Sequence, residues 1–203
     1  MKYLRDFMEH FRERQAFTIR DARIFLKAKK ISEGYLHFMI QYCLKRKGLK
    51  KITKGTYTFG DDSIVTGFAF KPFYYGLHYA LSLLGFWGQA SNPVIITPKK
   101  VRSGIRTSMG GNIIVRKISP GMFFGFETTQ TSGGIWVPVS TPEKTLLDFF
   151  YFRQKIPSEA MQKLIKKADT PELRKMLKKT PKWVQKRVQK ILTENPAYSR
   201  PIK

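Results

Sequence analysis

Between residues 2 and 14, Tyr3, Leu4, Phe7, Met8 and Phe11 recur at spacings of three and four, separated by charged positions. That period predicts an amphipathic helix. Thr18 is placed to cap a second helix, with Asp21 three positions on and Ala22, Phe25 and Leu26 as its apolar stripe. Ser32 caps a third, in which Leu36, Met39, Ile40, Cys43 and Leu44 fall at i, i+3, i+4, i+7 and i+8 before Gly48 stops it. The pattern then shortens to alternation. Leu49–Ile52 and Thr56–Phe59 flank a Lys54-Gly55 turn, which predicts a β-hairpin.

The middle of the chain is more continuously apolar. Ile64–Phe70 has the character of a short strand inside a linker, and Tyr74–Leu84 predicts a helix apolar nearly all round, ended by Gly85. Val94–Thr97, Asn112–Ile118, Met122–Thr129 and Ile135–Val139 predict the strands of a small sheet. Thr141-Pro142-Glu143 is a helix start, with a capping hydroxyl, proline at the first helical position and an acid at the positive end of the dipole.

The last fifty residues repeat that device. Thr170-Pro171 and Thr180-Pro181 copy the start at Thr141-Pro142, and Pro157 opens an earlier helix. Apolar stripes follow: Met161, Leu164 and Ile165, then Leu173, Met176 and Leu177, then Val184, Val188, Ile191 and Leu192. The intervening positions are dense in Lys and Arg, Lys178, Lys182 and Lys186 among them.

Charge sharpens the division. The 203 residues carry 38 Lys and Arg against 14 Asp and Glu, a formal net charge of +24. Residues 1–60 hold a net +10, residues 61–150 only +3, and residues 151–203 +11. Such a field attracts phosphate backbones whatever their sequence. A lysine-rich thermophilic surface would come with matching Glu, and here acids are scarce. The polyanion expected is nucleic acid. A lone Cys43 excludes an intrachain disulfide framework and, lying on an apolar stripe, is expected in a core. Charges within the first ten residues argue against a signal peptide, and glycines interrupt the longest uncharged stretch, 72–98. A membrane helix needs roughly 18–20 continuous apolar residues. A cytoplasmic protein without a membrane partner is therefore expected.

Three helices and a basic hairpin in this order predict a winged helix-turn-helix at residues 1–60. The third helix turns Ser32, Glu33, Gly34, His37, Phe38, Gln41 and Lys45 away from its apolar stripe. A helix fits the major groove, where Gln41 can pair with adenine and Lys45 or Arg46 with guanine or phosphate. Lys50, Lys51 and Lys54 on the hairpin would meet the backbone or the minor groove.

Catalytic chemistry finds little footing. No phosphate loop, nucleophile elbow or H-E-x-x-H occurs, and His10, His37 and His78 have no ligand spacing, so no cofactor or metal is expected. A magnesium nuclease needs an acid followed by a Glu-x-Lys pair, whereas Glu127 is followed by Thr128 and Thr129. Glu143 and Asp148 are five apart and diverge on a helix, and Lys144 with Asp148, at i and i+4, is expected as a surface ion pair.

The run Thr53-Lys54-Gly55-Thr56-Tyr57, then Pro72…Tyr75-Gly76-Leu77…Ala80-Leu81…Gly85, then Thr141-Pro142-Glu143-Lys144-Thr145-Leu146-Leu147-Asp148 resembles the AbiEi antitoxin family. The resemblance spans about three-quarters of the chain, and its most telling piece is P-E-K-x-L-L-D. It implies a winged helix that binds inverted repeats in its own promoter. It also implies an α/β domain that counteracts a nucleotidyltransferase-like toxin, as the antitoxin and autoregulator of a type IV pair, without a tight complex. The basic last fifty residues do not map onto that pattern.

The expectation is an α+β protein: a winged helix-turn-helix at 1–60, a linker or strand at 61–71, an α/β antitoxin-like domain at 72–152 and a basic helical extension at 153–203. It would act by binding DNA, not as an enzyme, with the DNA-contacting set extended by Lys178, Lys182 and Lys186. A metal-dependent nuclease or nucleic-acid-modifying enzyme and a stand-alone RNA-binding protein are the alternatives.

Overall fold

The structure, a computed structural model, describes residues 2–27 and 29–194, with side chains described as far as Lys190. Ile191 and Leu192 of the last expected stripe, and residues 195–203 of the expected extension, lie outside the described side chains and residues respectively. The chain is mixed α and β, with one three-stranded and one six-stranded sheet. Its contacts divide it into Met1–Lys71 with Arg106–Ile113, and Pro72–Ile105 with Ile114–Lys203.

In the first unit, α1 (Leu4–Arg12), the two-residue β1 (Phe17–Thr18), α2 (Ile19–Lys27) and α3 (Glu33–Arg46) precede the hairpin β2 (Lys50–Thr53) and β3 (Thr56–Thr58). β3 is the central strand, antiparallel to both neighbours. Phe7, Phe11, Phe17, Ala22, Leu26 and Leu36 belong to the buried core, joined by Met39, Ile40 and Cys43 from the expected face of α3. The aromatic rings pack edge-on or tilted, Phe7 against Phe17 with centroids 5.7 Å apart and Phe11 against Phe17 at 4.1 Å.

A bulge between Lys51 and Thr53 takes Ile52 out of the β2–β3 register, and the Ile52 carbonyl instead accepts from the Ser108 hydroxyl at 3.0 Å. Residues Ser63–Phe70 are a 3₁₀ helix, not the strand expected there. Asp62 caps it by accepting from the Ile64 amide at 2.9 Å. Ile64, Val65 and Phe70 are buried, so the apolar run reports burial rather than strand geometry.

The larger sheet has the order β6–β7–β5–β4–β9–β8. Its strands are β4 (Tyr74–Tyr75), β5 (Val94–Thr97), β6 (Gly104–Ser108), β7 (Gly111–Lys117), β8 (Phe126–Gln130) and β9 (Trp136–Ser140). β4 runs parallel to β9 and β5 parallel to β7, while β4–β5 and β8–β9 are antiparallel. The predicted helix at 74–84 begins later than its apolar pattern: Tyr74 and Tyr75 are strand, and α4 covers only Leu77–Leu83. β1 and β6 carry no apolar alternation strong enough to announce them.

In the second unit α5 (Pro142–Tyr151) is buried along most of its length. Phe149 joins a core with Tyr74, Leu81 and Ile96, while Leu146 and Leu147 join another with Leu173, Leu177, Val184 and Val188. The latter comes from α7 (Thr170–Lys178) and α8 (Lys182–Glu194), which with α6 (Ser158–Lys167) surround α5. The three Thr-Pro pairs do different work. Thr141 caps α5 through the Lys144 amide at 3.3 Å, Asp169 rather than Thr170 caps α7 through the Glu172 amide at 2.8 Å, and the Thr180 hydroxyl donates back to the Leu177 carbonyl at 2.8 Å.

Candidate nucleic-acid interface

A reciprocal cap sets the start of α2. The Thr18 amide donates to the Asp21 carboxylate at 2.7 Å and the Asp21 amide to the Thr18 hydroxyl at 3.1 Å. Burial raises the Asp21 carboxyl, but the bonds it accepts from the Thr18 amide and, at 2.8 Å, the Thr18 hydroxyl, together with Arg14 and Arg20, outweigh it and hold it below the usual carboxylate range. α3 starts with a one-way cap, the Ser32 hydroxyl accepting from the Tyr35 amide at 3.3 Å. Ser32 thus has a structural task on the face where sequence placed it as a DNA contact.

With Leu36, Met39, Ile40 and Cys43 turned into the core, the opposite side of α3 faces solvent. His37, Gln41, Lys45 and Arg46 are all exposed, and Phe38 keeps 60% of its surface open. Glu33 is exposed but engaged: the Arg23 guanidinium of α2 grips it, Nε to Oε1 and Nη2 to Oε2, the latter at 3.0 Å. That fork holds the Glu33 carboxyl below its ordinary range, and His37 Nε2 lies 4.0 Å from the same group. An open groove of about 480 Å³ runs between α2 and α3, lined among others by Arg20, Arg23, Ile24, Lys27 and Ser32.

On the hairpin, Gly55 at φ +76° makes the turn, and Lys51 and Lys54 project into solvent. Lys50 is half-buried and donates to Asp61 at 2.6 Å, so its charge is partly met. Among the described residues no carboxylate pairs with Lys45, Arg46, Lys51 or Lys54.

Lys178, Lys182 and Lys186 are exposed on α7 and α8 of the second unit, likewise without a carboxylate among the described residues. Several of this unit's acids are taken up internally. Asp169 caps α7, Glu159 and Glu172 pair with Lys163 and Lys175 at 3.2 and 3.3 Å, and Glu143 is buried, accepting from the Asp169 amide at 2.7 Å.

Lys144 and Asp148 correct the expectation of a surface pair. Both side chains are 0% exposed and joined to each other, and the Tyr74 hydroxyl donates to the other carboxylate oxygen at 2.8 Å. The Lys144 ammonium also lies 4.9 Å from the Phe124 ring centre. Burial pushes the Asp148 carboxyl above its ordinary range despite the pull of Lys144, and pushes the Tyr74 phenol well above its own. The i, i+4 spacing was legible; the burial was not, because α5 is enclosed by elements remote in sequence.

Among the described residues no three His, Cys, Asp or Glu side chains gather as a metal cluster would require, and no helix is long and apolar enough to cross a membrane. The chain matches no protein-family model, and no curated protein matches it.

Proposed function

We propose that the chain is a sequence-specific duplex-DNA-binding regulator, its first sixty residues acting as a winged helix-turn-helix. α3 enters the major groove and the β2–β3 hairpin rests on the backbone. The observation that carries this reading is the two-sidedness of α3: one side is sealed into the core, while the other exposes Gln41, Lys45, Arg46 and Phe38 without a competing acid beyond the engaged Glu33. Gln41 offers its amide oxygen and nitrogen to an adenine edge, Lys45 and Arg46 donate to guanine or phosphate, and Phe38 suits a thymine methyl. Lys51 and Lys54 supply sequence-independent grip. The Arg23–Glu33 fork ties α2 to the start of α3 and positions rather than reads.

The resemblance to AbiEi antitoxins supplies the biological setting. The chain would repress its own promoter at inverted repeats and counteract a nucleotidyltransferase-like toxin in the cytoplasm, by binding rather than covalent chemistry. Titration of the full chain against its own promoter and against a shuffled duplex of equal length, at one salt concentration, tests the DNA half. Specific recognition predicts a preference of about a thousandfold or more. Equal affinity for the two duplexes would refute it. Co-expression with the product of the neighbouring gene, scored by growth, tests the antitoxin half.

A further inference from the structure

We propose a second nucleic-acid site, for an unpaired strand, where the end of α5 meets α8. It belongs to the second unit and takes a different ligand from the one proposed for α3. The last turn of α5 closes with the Gln154 amide donating to the Phe149 carbonyl at 2.9 Å and Arg153 in the left-handed region at φ +54°. Glycine is the usual residue at such a closure, and arginine there costs backbone energy that glycine would not. The turn holds the Arg153 guanidinium 5.3 Å from the centre of the Trp183 ring. From α8 the Arg187 guanidinium lies 5.8 Å from the same ring, and Tyr151 stacks on it at 5.9 Å with 24° between the planes.

Beside this cluster is an open groove of about 450 Å³, lined by Phe149, Phe150, Arg153, Gln154, Lys155 and Arg187. Its described lining holds three cations and no carboxylate over an apolar floor.

Charge complementarity selects the occupant. Three cations without an acid call for phosphate, and an aromatic ring edged by guanidinium groups calls for a flat π-system. Trp183 keeps 37% of its surface exposed, so part of the ring remains open to a base. An unpaired nucleotide chain supplies both groups at adjacent positions, whereas a duplex keeps its bases stacked away from such a ring. Arg153, Lys155 and Arg187 take consecutive phosphates, and a base stacks on Trp183 in place of one of the exposed guanidinium contacts. The neighbouring cations Lys182 and Lys186 on α8 extend the track.

The test uses the full chain carrying Trp87→Phe and Trp136→Phe, which leaves Trp183 as the one tryptophan of three. Its fluorescence is titrated with a twelve-nucleotide oligo(U), with oligo(dT) of the same length, with a duplex and with inorganic phosphate. Saturable quenching by the single strands is expected, and the two single-strand arms separate RNA from DNA. In the otherwise unaltered chain, Trp183→Ala should weaken single-strand binding about 5- to 150-fold, the usual effect of one stacked base. Trp183→Phe should recover much of that loss, and Arg153→Gln with Arg187→Gln should flatten the salt dependence. Promoter binding should be unchanged in Trp183→Ala, so this proposal and the duplex reading fail separately. No quenching by single strands, quenching by the duplex or phosphate alone to the same extent, or full single-strand affinity in Trp183→Ala would each overturn it. Because the quenching uses a chain that retains Trp183, it decides the matter even if the alanine variant does not fold.

Discussion

Lys144 and Asp148 stand one helical turn apart on α5, paired with each other and closed off from water, with the Tyr74 hydroxyl on the second carboxylate oxygen. Removing charges from water is costly, and the pair recovers that cost only while both partners and the phenol are present. Lys144→Met should therefore destabilise the second unit by about 3–5 kcal/mol, through an uncompensated buried carboxylate. Tyr74→Phe should cost about 1–3 kcal/mol by leaving one oxygen without its donor. Replacing both charges, Lys144→Met with Asp148→Leu, should recover most of the Lys144→Met loss. Urea unfolding of the variants checks this order, and a double variant no more stable than Lys144→Met contradicts it.

Gln41 and Lys54 should separate reading from gripping. Gln41→Ala should relax preference at one base position, at a cost of about 1–3 kcal/mol on the specific duplex and little on a random one. Lys54→Ala should weaken both duplexes alike and lower the slope of log affinity against log salt by about one. Anisotropy titrations at several salt concentrations distinguish the patterns; an equal loss on both duplexes for Gln41→Ala removes its reading role.

Asp21 should make the start of α2 sensitive to acid. Its carboxyl is held below the ordinary value in the folded chain, so its contribution is present above the unfolded value, about 3.9, and is lost as pH falls through the lower folded value. The melting-temperature gap between the natural chain and Asp21→Asn should be constant from neutral pH to about 5 and close below about 4. A gap unchanged at the lowest pH would show that the charge contributes nothing to the cap.

Cys43 is buried in the α3 core, and burial pushes its thiol up to about 11. It should resist a thiol-specific disulfide reagent at neutral pH in the native chain and react promptly in denaturant. Fast native labelling would place α3 differently.

Short-range signals were legible where their cause is local. Thr18 with Asp21 and Ser32 cap as read, and the apolar period of α3 assigns Leu36, Met39, Ile40 and Cys43 to the core. What escaped depends on distant partners. Tyr74 and Tyr75 continue a helical apolar pattern but pair with Ile96 and Ile95, and Tyr75 also with Val139, so the sheet claims them. Ile64–Phe70 looks like a strand because its residues are apolar, yet it finds no ladder. The Trp183 cluster draws Tyr151 and Arg153 from one helix end and Arg187 from another helix. In the sequence the only local mark is Trp183 itself, set among Lys182, Lys186 and Arg187.

The Ser108–Ile52 hydrogen bond has a consequence for modularity. Because the first unit borrows residues 106–113 from well beyond its own stretch of chain, no single breakpoint excises it intact. A fragment ending at Lys71 would leave the bulged Ile52 carbonyl, close to the hairpin turn, without its donor. A chain divided or fused at that junction would therefore carry an impaired first unit.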